Sequence, residues 1–331
     1  MKNDRVNAKK LISLLKKKQK VYIQTHNFPD HDAVSSAYAL QYLLEKNDID
    51  SRLIYHGEIL RESLQNMIDS FKIDIRHHYN YEITEEDSIV IVDGSKGKSN
   101  VAELRGRVVA VIDHHEGGVP TDVPFTDIRS SYGACVTIIF GYFAALKLEP
   151  SKAVASAMLT GVNFDTHNLM RNVSEKDIEA FAMLHGVSDM EIVRSLVRNN
   201  LNIEDLPQFR YLIDNVHVRG NFAFCYFGQG INKNLLAILS DFLLTLEEIE
   251  FVALCTRVQE SVHFSVRSSN AKARANNIIQ KVLEGLGSGG GHADMAGGFM
   301  KDINDFDEDE ILNRFLGEVL PHKDIKIKIA R

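Results

Sequence analysis

The sequence predicts an α/β protein with a mainly parallel sheet and flanking helices in its first part and a smaller α/β domain after it. Three observations lead there. Short apolar strands alternate with helical patterns over the first half of the chain, which is the signature of parallel βαβ units. Three of these strands run straight into Asp or His: VYIQTH at Val21–His26, IVIVD at Ile89–Asp93 and VAVIDHH at Val109–His115. A buried strand does not carry such side chains further inward without partners, so each must end there, at the carboxyl edge of a sheet, where open α/β folds place their ligands. Finally, 331 residues suffice for two domains.

The elements follow in order. Val6–Gln19 reads as an amphipathic helix, with Lys16, Lys17, Lys18 and Lys20 as a solvated basic end favoured by the helix dipole. The spacing then predicts strand Val21–Thr25, helix Ala33–Lys46 (apolar at Ala33, Ala37, Leu40 and Leu44), strand Arg52–Tyr55 and helix Ile59–Phe71. His77 and His78 follow a polar segment and read as surface residues. Strands Ile89–Val92 and Val108–Ile112 complete the βαβ-rich half. Tyr132–Leu146 and Ser151–Leu159 are apolar helices that cover the sheet or form a dimer contact. Ser174 with Asp177 caps a helix through His185, and Met190–Val197 is helical before the polar RNNLNIEDLP. The domains expected are 1–190 and 208–331, joined by a linker at 191–207. In the second, Asn221–Phe227, Phe251–Arg257 and Ser261–Val266 read as strands, and Leu235–Leu244 and Ala273–Leu286 as helices. The run Gly285–Gly291, ending at His292, reads as a loop whose backbone amides can approach a phosphate closely.

Composition sets bounds. Hydrophobic content of 44% and charged content of 25% are ordinary for a globular protein, and the net charge of -7 argues against long duplex nucleic acid. A small anionic substrate is compatible with it. Cys135, Cys225 and Cys255 lie in apolar runs and read as reduced core residues. Neither a signal peptide nor a membrane span is evident, so a cytoplasmic location is expected.

The strand ends contribute His26, Asp30, Asp32, Asp93 and His114. A fourth segment, LTGVNFDTHN, adds Asp165. Four carboxylates at one sheet edge repel unless cations neutralise them. Two divalent metals would do so, and a mixed imidazole and carboxylate set without cysteine suits manganese, with magnesium or zinc less well matched.

With HNFPDHDA, VDGS, DHH, TGVNFDT and GSGGGHADMAGG in this order, nearly the whole chain resembles the DHH phosphoesterases. Within them it is similar to the short two-domain members that include the NrnA-type nanoRNases. The resemblance implies a catalytic domain facing a smaller DHH-associated domain across a cleft. It implies that His26, Asp30 and Asp93 hold one metal and that Asp32, Asp93, His114 and Asp165 hold the other, with Asp93 bridging. Asp113 would orient the histidines, and His115 would donate to a phosphate oxygen as charge develops. Arg267, Ser268, Gly289, Gly290, Gly291 and His292 would contact substrate. His31, Gly94, His167, Leu169 and Met295 depart from the residues common in the family at those places; all six metal positions are intact.

The implied activity is two-metal hydrolysis of short oligoribonucleotides or linear dinucleotides to nucleoside monophosphates. Alternatives are action on 3′-phosphoadenosine 5′-phosphate, on a cyclic dinucleotide, or on polyphosphate or pyrophosphate, and a nucleotide-binding sensor without catalysis. Short RNA is the expected partner, no membrane is expected, and a homodimer through the first domain is possible in principle.

Overall fold

The computed structural model describes residues 2–59, 61–198, 201–228 and 230–320. It comprises two compact units, residues 1–200 and 201–331. The first contains α1 (Lys2–Leu15), β1 (Val21–Gln24), α2 (His31–Glu45), β2 (Arg52–Tyr55), α3 (Glu62–Phe71), β3 (Ile75–His77), β4 (Ser88–Val92), β5 (Arg107–Asp113), β6 (Phe125–Ile128), α4 (Cys135–Leu146), α5 (Lys152–Asp165), α6 (Glu175–His185) and α7 (Met190–Arg198). Its sheet has the order β3-β2-β1-β4-β5-β6, and every pairing is parallel. The order reverses between β1 and β4, so the loops leaving these strands diverge and leave a crevice at their carboxyl ends. His26 and Asp93 follow β1 and β4 there.

Burial on both sides explains why the central strands are continuous apolar runs and do not alternate: β1 and β4 are buried throughout. One face packs Ile23, Val90, Val92, Ala110 and Ile112 against Leu11, Leu40, Ile139 and Met158 of the helices. The other packs Tyr22, Ile54, Ile89, Ile91 and Val111 under Val101, Tyr81 and Leu104, which lie outside helices. Flanking helices therefore carry one face, and connecting segments cover much of the other.

Three local features position the site. Helices α2 and α5 approach so closely that a Cβ added at Gly161 would lie 2.1 Å from Ser35 Oγ. Only glycine admits that contact, which draws the end of α5, with Asp165, toward the start of α2, with Asp32. Helix α4 begins at Cys135, three residues later than its apolar pattern, because the start is fixed from elsewhere. Asp32 accepts the backbone N–H groups of Cys135 (2.6 Å) and Val136 (2.9 Å), supplying partners for the first orphan amides of the helix. Beyond β6, Arg129 donates to both oxygens of Asp127 (2.8 and 2.7 Å) and to Asp4 of α1 (2.6 Å), fixing α1 to the sheet edge. The Ser174–Asp177 capping box is present at α6.

The second unit contains α8 (Leu206–Asn215), β7 (His217–Arg219), β8 (Phe222–Phe227), α9 (Lys233–Leu244), β9 (Phe251–Val258), β10 (Ser261–Ser268), α10 (Ala275–Val282), β11 (Gly287–Gly291), β12 (Met295–Met300) and α11 (Glu308–Val319). Its sheet order is β11-β12-β10-β9-β8-β7. Only the β8–β9 pairing is parallel. Phe222, Phe224, Phe251 and Phe315 form the centre of one of its cores.

Two expectations need correction. The glycine-rich run is an edge strand, β11, paired antiparallel with β12, and so is not a loop. Gly289 there serves packing, since a Cβ added to it would lie 2.9 Å from the Ile279 side chain of α10. The described residues of 191–207 are also largely helical, and the division between the two units falls within this stretch, at 200/201. Helix α7 buries Val193 and Leu196 in the first unit's core, and a 3₁₀ turn at Ile203–Asp205 leads into α8. Asn199 and Asn200 lie outside the described residues. Among the described residues no helix is long and apolar enough to cross a membrane.

Candidate metal centre

The residues named from the strand ends converge. His26 Nε2 lies 3.7 Å from Asp30 Oδ2 and 3.6 Å from Asp93 Oδ2. His114 Nε2 lies 3.3 Å from Asp93 Oδ1, 3.1 Å from Asp165 Oδ2 and 3.9 Å from Asp32 Oδ2. Three overlapping groups with metal-ligand spacing result among the described residues: His26, Asp30 and Asp93; Asp32, His114 and Asp165; and Asp93, His114 and His115. Asp93 faces both imidazoles, one oxygen to each.

Each ligand is set by local structure. Asp30 is the N-cap of α2 and accepts from Ala33 N–H at 3.0 Å. Asp32 lies in the first turn of the same helix, two residues on. Asp93 leaves β4 with φ +56°, a left-handed backbone uncommon for a residue with a Cβ. Such strain, of order 1–3 kcal/mol, persists where the surroundings over-determine it, and it concentrates at functional sites. Gly94 follows it where a Cβ would lie 2.9 Å from the Val101 side chain, so the small residue there has a packing reason.

The imidazoles are oriented by backbone carbonyls. His26 Nδ1 lies 2.9 Å from Asn27 O, and His114 Nδ1 lies 3.1 Å from Tyr132 O. Carbonyls only accept, so both rings carry the proton on Nδ1 and direct Nε2 at the carboxylates. That is the arrangement used by metal-ligating histidine. Asp113 orients His115: its Oδ1 is 2.8 Å from His115 Nδ1 and also accepts His115 N–H at 3.1 Å. The sequence reading gave Asp113 both histidines; the structure divides the task between Asp113 and the Tyr132 carbonyl.

The electrostatics show how strongly the cluster calls for positive charge. Burial would depress His26, but Asp30 and Asp93 outweigh it and push its pKa up to about 10. Burial is likewise outweighed at His114, where Asp165 and Asp93 raise the pKa well above the ordinary histidine value. Asp32 is raised by burial and by Asp93 and Asp165. Asp93 Oδ1 is buried without an aligned hydrogen bond. Protonated imidazoles thus answer much of this carboxylate charge, and divalent ions bound by oxygen and imidazole nitrogen fit it well. Ions entering the cluster would displace these protons, so affinity should rise with pH.

His31 sits between two of these acids yet turns away from them. It is fully buried and stacks on Phe164 with ring centroids 3.5 Å apart. Burial and Arg61 lower its pKa to about 3, so it is a neutral packing group. His167 and Leu169 belong to a turn after α5 with positive φ at 167, 168 and 169.

In the second unit, Arg267 is buried and donates to Asp241 Oδ1 (2.5 Å), Ser265 Oγ (3.2 Å) and Val266 O (3.1 Å). Ser268 is buried and donates to Asn270 O. Met295 is opposite Arg267 across the β10–β12 pairing, and His292 N–H donates to Met295 O at 2.7 Å. With Gly289, Gly290 and Gly291 these residues gather at one end of a sheet. Arg267 there is tied into its own unit by an acidic partner that the sequence gave no means of choosing.

The fold and the cluster place the chain in a known class. Residues 20–162 match the DHH family, N-terminal domain, and residues 219–318 match the DHHA1 domain. The chain therefore carries a DHH N-terminal domain followed by a DHHA1 domain. It is 29% identical over 319 residues to an uncharacterized protein of Methanocaldococcus jannaschii, covering 94% of this chain and 64% of that protein. It is 24% identical to the cyclic-di-AMP phosphodiesterase PdeA of Listeria monocytogenes over 320 residues, 90% of this chain and 47% of PdeA. The chain thus spans less than two thirds of the length of either relative. A crystal structure of an exopolyphosphatase-related protein from Bacteroides fragilis has the same fold, with TM-score 0.77 at 21% identity over 96% of this chain and 97% of that one.

Proposed function

We propose that this chain is a metal-dependent phosphodiesterase that hydrolyses short oligoribonucleotides or linear dinucleotides to nucleoside monophosphates, in the manner of the NrnA-like members. The observation that carries the reading is the pair of ligand groups, His26 with Asp30 and Asp32 with His114 and Asp165, between which Asp93 turns one oxygen to each imidazole, with His115 held beside them. Two divalent ions, best matched by manganese, would supply Lewis-acid charge and an activated water when bound. Manganese is supported by the donor set and by similarity to a probable manganese-dependent inorganic pyrophosphatase of Lactiplantibacillus plantarum, 27% identical over 169 residues, 50% of this chain and 54% of that one.

His26 and Asp30 would bind one ion with Asp93, and Asp32, His114 and Asp165 the other. His115 is the more exposed of the two adjacent histidines and would act on substrate. Its side chain is 33% exposed, whereas His114 is enclosed. Burial is outweighed by Asp113 and Asp93, which raise its pKa and favour the protonated ring, the form that would donate to a phosphate oxygen. Asp113 fixes its direction and stabilises its charge.

The extent of sequence similarity supports a dinucleotide over pyrophosphate. The pyrophosphatase match covers half of the chain, whereas the PdeA match runs through both units. That same observation keeps a cyclic dinucleotide as the second reading. Substrate contacts from the second unit are proposed at Ser268, Gly289, Gly290, Gly291 and His292, and at Arg267 if it exchanges Asp241 for a phosphate.

The test is turnover of a panel: a linear diadenylate, cyclic-di-AMP, 3′-phosphoadenosine 5′-phosphate, polyphosphate and an oligoribonucleotide several times longer, all with manganese. The linear dinucleotide should be hydrolysed fastest, with rates falling steeply beyond about five nucleotides, because a long backbone needs many Lys and Arg contacts. Equal rates on the long strand, or preference for polyphosphate, would overturn the substrate assignment.

A further inference from the structure

A second cluster of nitrogen ligands lies at the other end of the parallel sheet's carboxyl edge. His56 follows β2, His77 ends β3 and His78 opens the 3₁₀ turn at His78–Asn80. Parallel pairing places Tyr55 opposite His77, so residues 22 positions apart in sequence meet as the strands end: His56 Nδ1 lies 3.0 Å from His78 Nε2. The ring centroids are 5.1 Å apart for His56 and His78, 5.6 Å for His56 and His77, and 4.7 Å for His77 and His78. One nitrogen from each imidazole falls within 4.8 Å of the other two. All three rings are half-buried, unlike the open surface positions expected from sequence for His77 and His78. Tyr79 stacks on His77 at 4.5 Å and covers one side.

We propose that His56, His77 and His78 form a second metal site that takes one zinc-like transition-metal ion through three imidazole nitrogens. The donor set is the argument. Hard magnesium and manganese favour carboxylate and water oxygen, whereas an all-imidazole set suits zinc, nickel or copper. Three protein ligands leave a position for water or another ligand, as in open zinc sites. Neutral rings are needed, and burial together with the neighbouring histidines lowers His77 and His78 below the ordinary histidine value. The close His56–His78 pair can hold one proton between its nitrogens, and an ion would replace it. His77 Nδ1 accepts only a long 3.3 Å bond from Tyr79 N–H, which an ion can displace at small cost.

The site also has a structural link to the carboxylate centre. His56 O accepts the backbone N–H of Phe28 at 2.9 Å, and Phe28 lies on the loop between His26 and Asp30. An ion at the triad would therefore anchor the strand end on which that loop rests.

The test uses the full chain, loaded with manganese and then equilibrated with zinc and dialysed. Elemental analysis should find one more equivalent of zinc in the unaltered protein than in a His77→Ala/His78→Ala variant. Copper loaded instead should show in electron paramagnetic resonance a three-nitrogen hyperfine pattern, additional to any from the carboxylate centre, that the variant lacks. Hydrolysis with manganese alone should be the same in both, so the result does not depend on the proposed substrate. Equal zinc in the two proteins would overturn the site. If the double variant fails to fold by circular dichroism, His56→Gln is read in its place: loss of the same equivalent supports the site, and retention overturns it.

Discussion

Replacing Asp93 by alanine is expected to reduce hydrolysis more than any other single change in the cluster, by several kcal/mol of barrier, or at least about a thousandfold. The reason is position. Asp93 is the carboxylate whose two oxygens face different imidazoles, at 3.6 Å from His26 and 3.3 Å from His114. Asp30 and Asp165 each serve one side. Asp93 is also 1% exposed, so no water of the bulk can take over its charge, and its left-handed backbone presents the carboxylate in a direction a neighbour cannot copy. The Asp93→Ala protein should bind fewer manganese ions than the unaltered chain. Elemental analysis after dialysis decides the matter: two retained ions would remove the basis for a shared ligand. Alanine keeps the Cβ and so the left-handed backbone, but the change removes one of several buried, mutually repelling carboxylates; a cooperative thermal transition retained without metal separates a lost ligand from a lost fold.

The second large effect concerns stability. Arg129→Met should destabilise the first unit by roughly 3–5 kcal/mol, because it leaves buried charges without their partner. Arg129 is 15% exposed at its side chain, Asp127 6% and Asp4 12%, so solvent screens these pairs little. Asp127 keeps bonds from Tyr142 Oη (2.6 Å) and Asn7 Nδ2 (2.8 Å), neither of which is charged. Burial raises the Asp127 pKa, and Arg129 with Tyr142 and Asn7 outweighs it and holds the carboxyl below the ordinary range. A depressed folded-state value contributes stability above the unfolded value, near 4, and that stability is lost as pH falls through the folded-state value. Without Arg129 the buried carboxyl gains by taking a proton, so the gap between the two proteins should narrow on acidification. Urea unfolding at neutral and acid pH checks both statements; a difference under about 1 kcal/mol at neutral pH would show an exposed, weak ion pair.

What was legible in the sequence followed from burial. β1, β4 and β5 stand out because both their faces are covered and their apolar runs stop abruptly at His or Asp. The same stops named His26, Asp93 and His114 as neighbours. Asp165 was legible only through the TGVNFDT motif, since it ends a helix and not a strand; its placement depends on the Gly161–Ser35 contact, which no periodicity announces. β3 and β6 were missed because short edge strands with polar residues carry little pattern. β11 was missed for a different reason: glycine is a poor strand former, and the strand exists because α10 rests against it. The carbonyls of Asn27 and Tyr132 that orient the ligand imidazoles leave no mark in sequence at all, because every residue has one. His56 was overlooked because its relation to His77 and His78 is created by parallel register.

The cluster is assembled from strand ends and helix termini that run from His26 to Asp165, and this has a kinetic side. No contiguous segment holds enough ligands to bind an ion before β1, β4, β5 and the α2–α5 contact have come together. Such long-range closure comes late in folding, since loop entropy opposes it until most of the sheet is in place. Interactions absent from the transition state act on the escape from the native state and leave the approach to it unchanged. Divalent ions should therefore leave the refolding rate of this chain nearly unchanged while slowing its unfolding, so that occupancy of the centre sets the lifetime of the folded molecule.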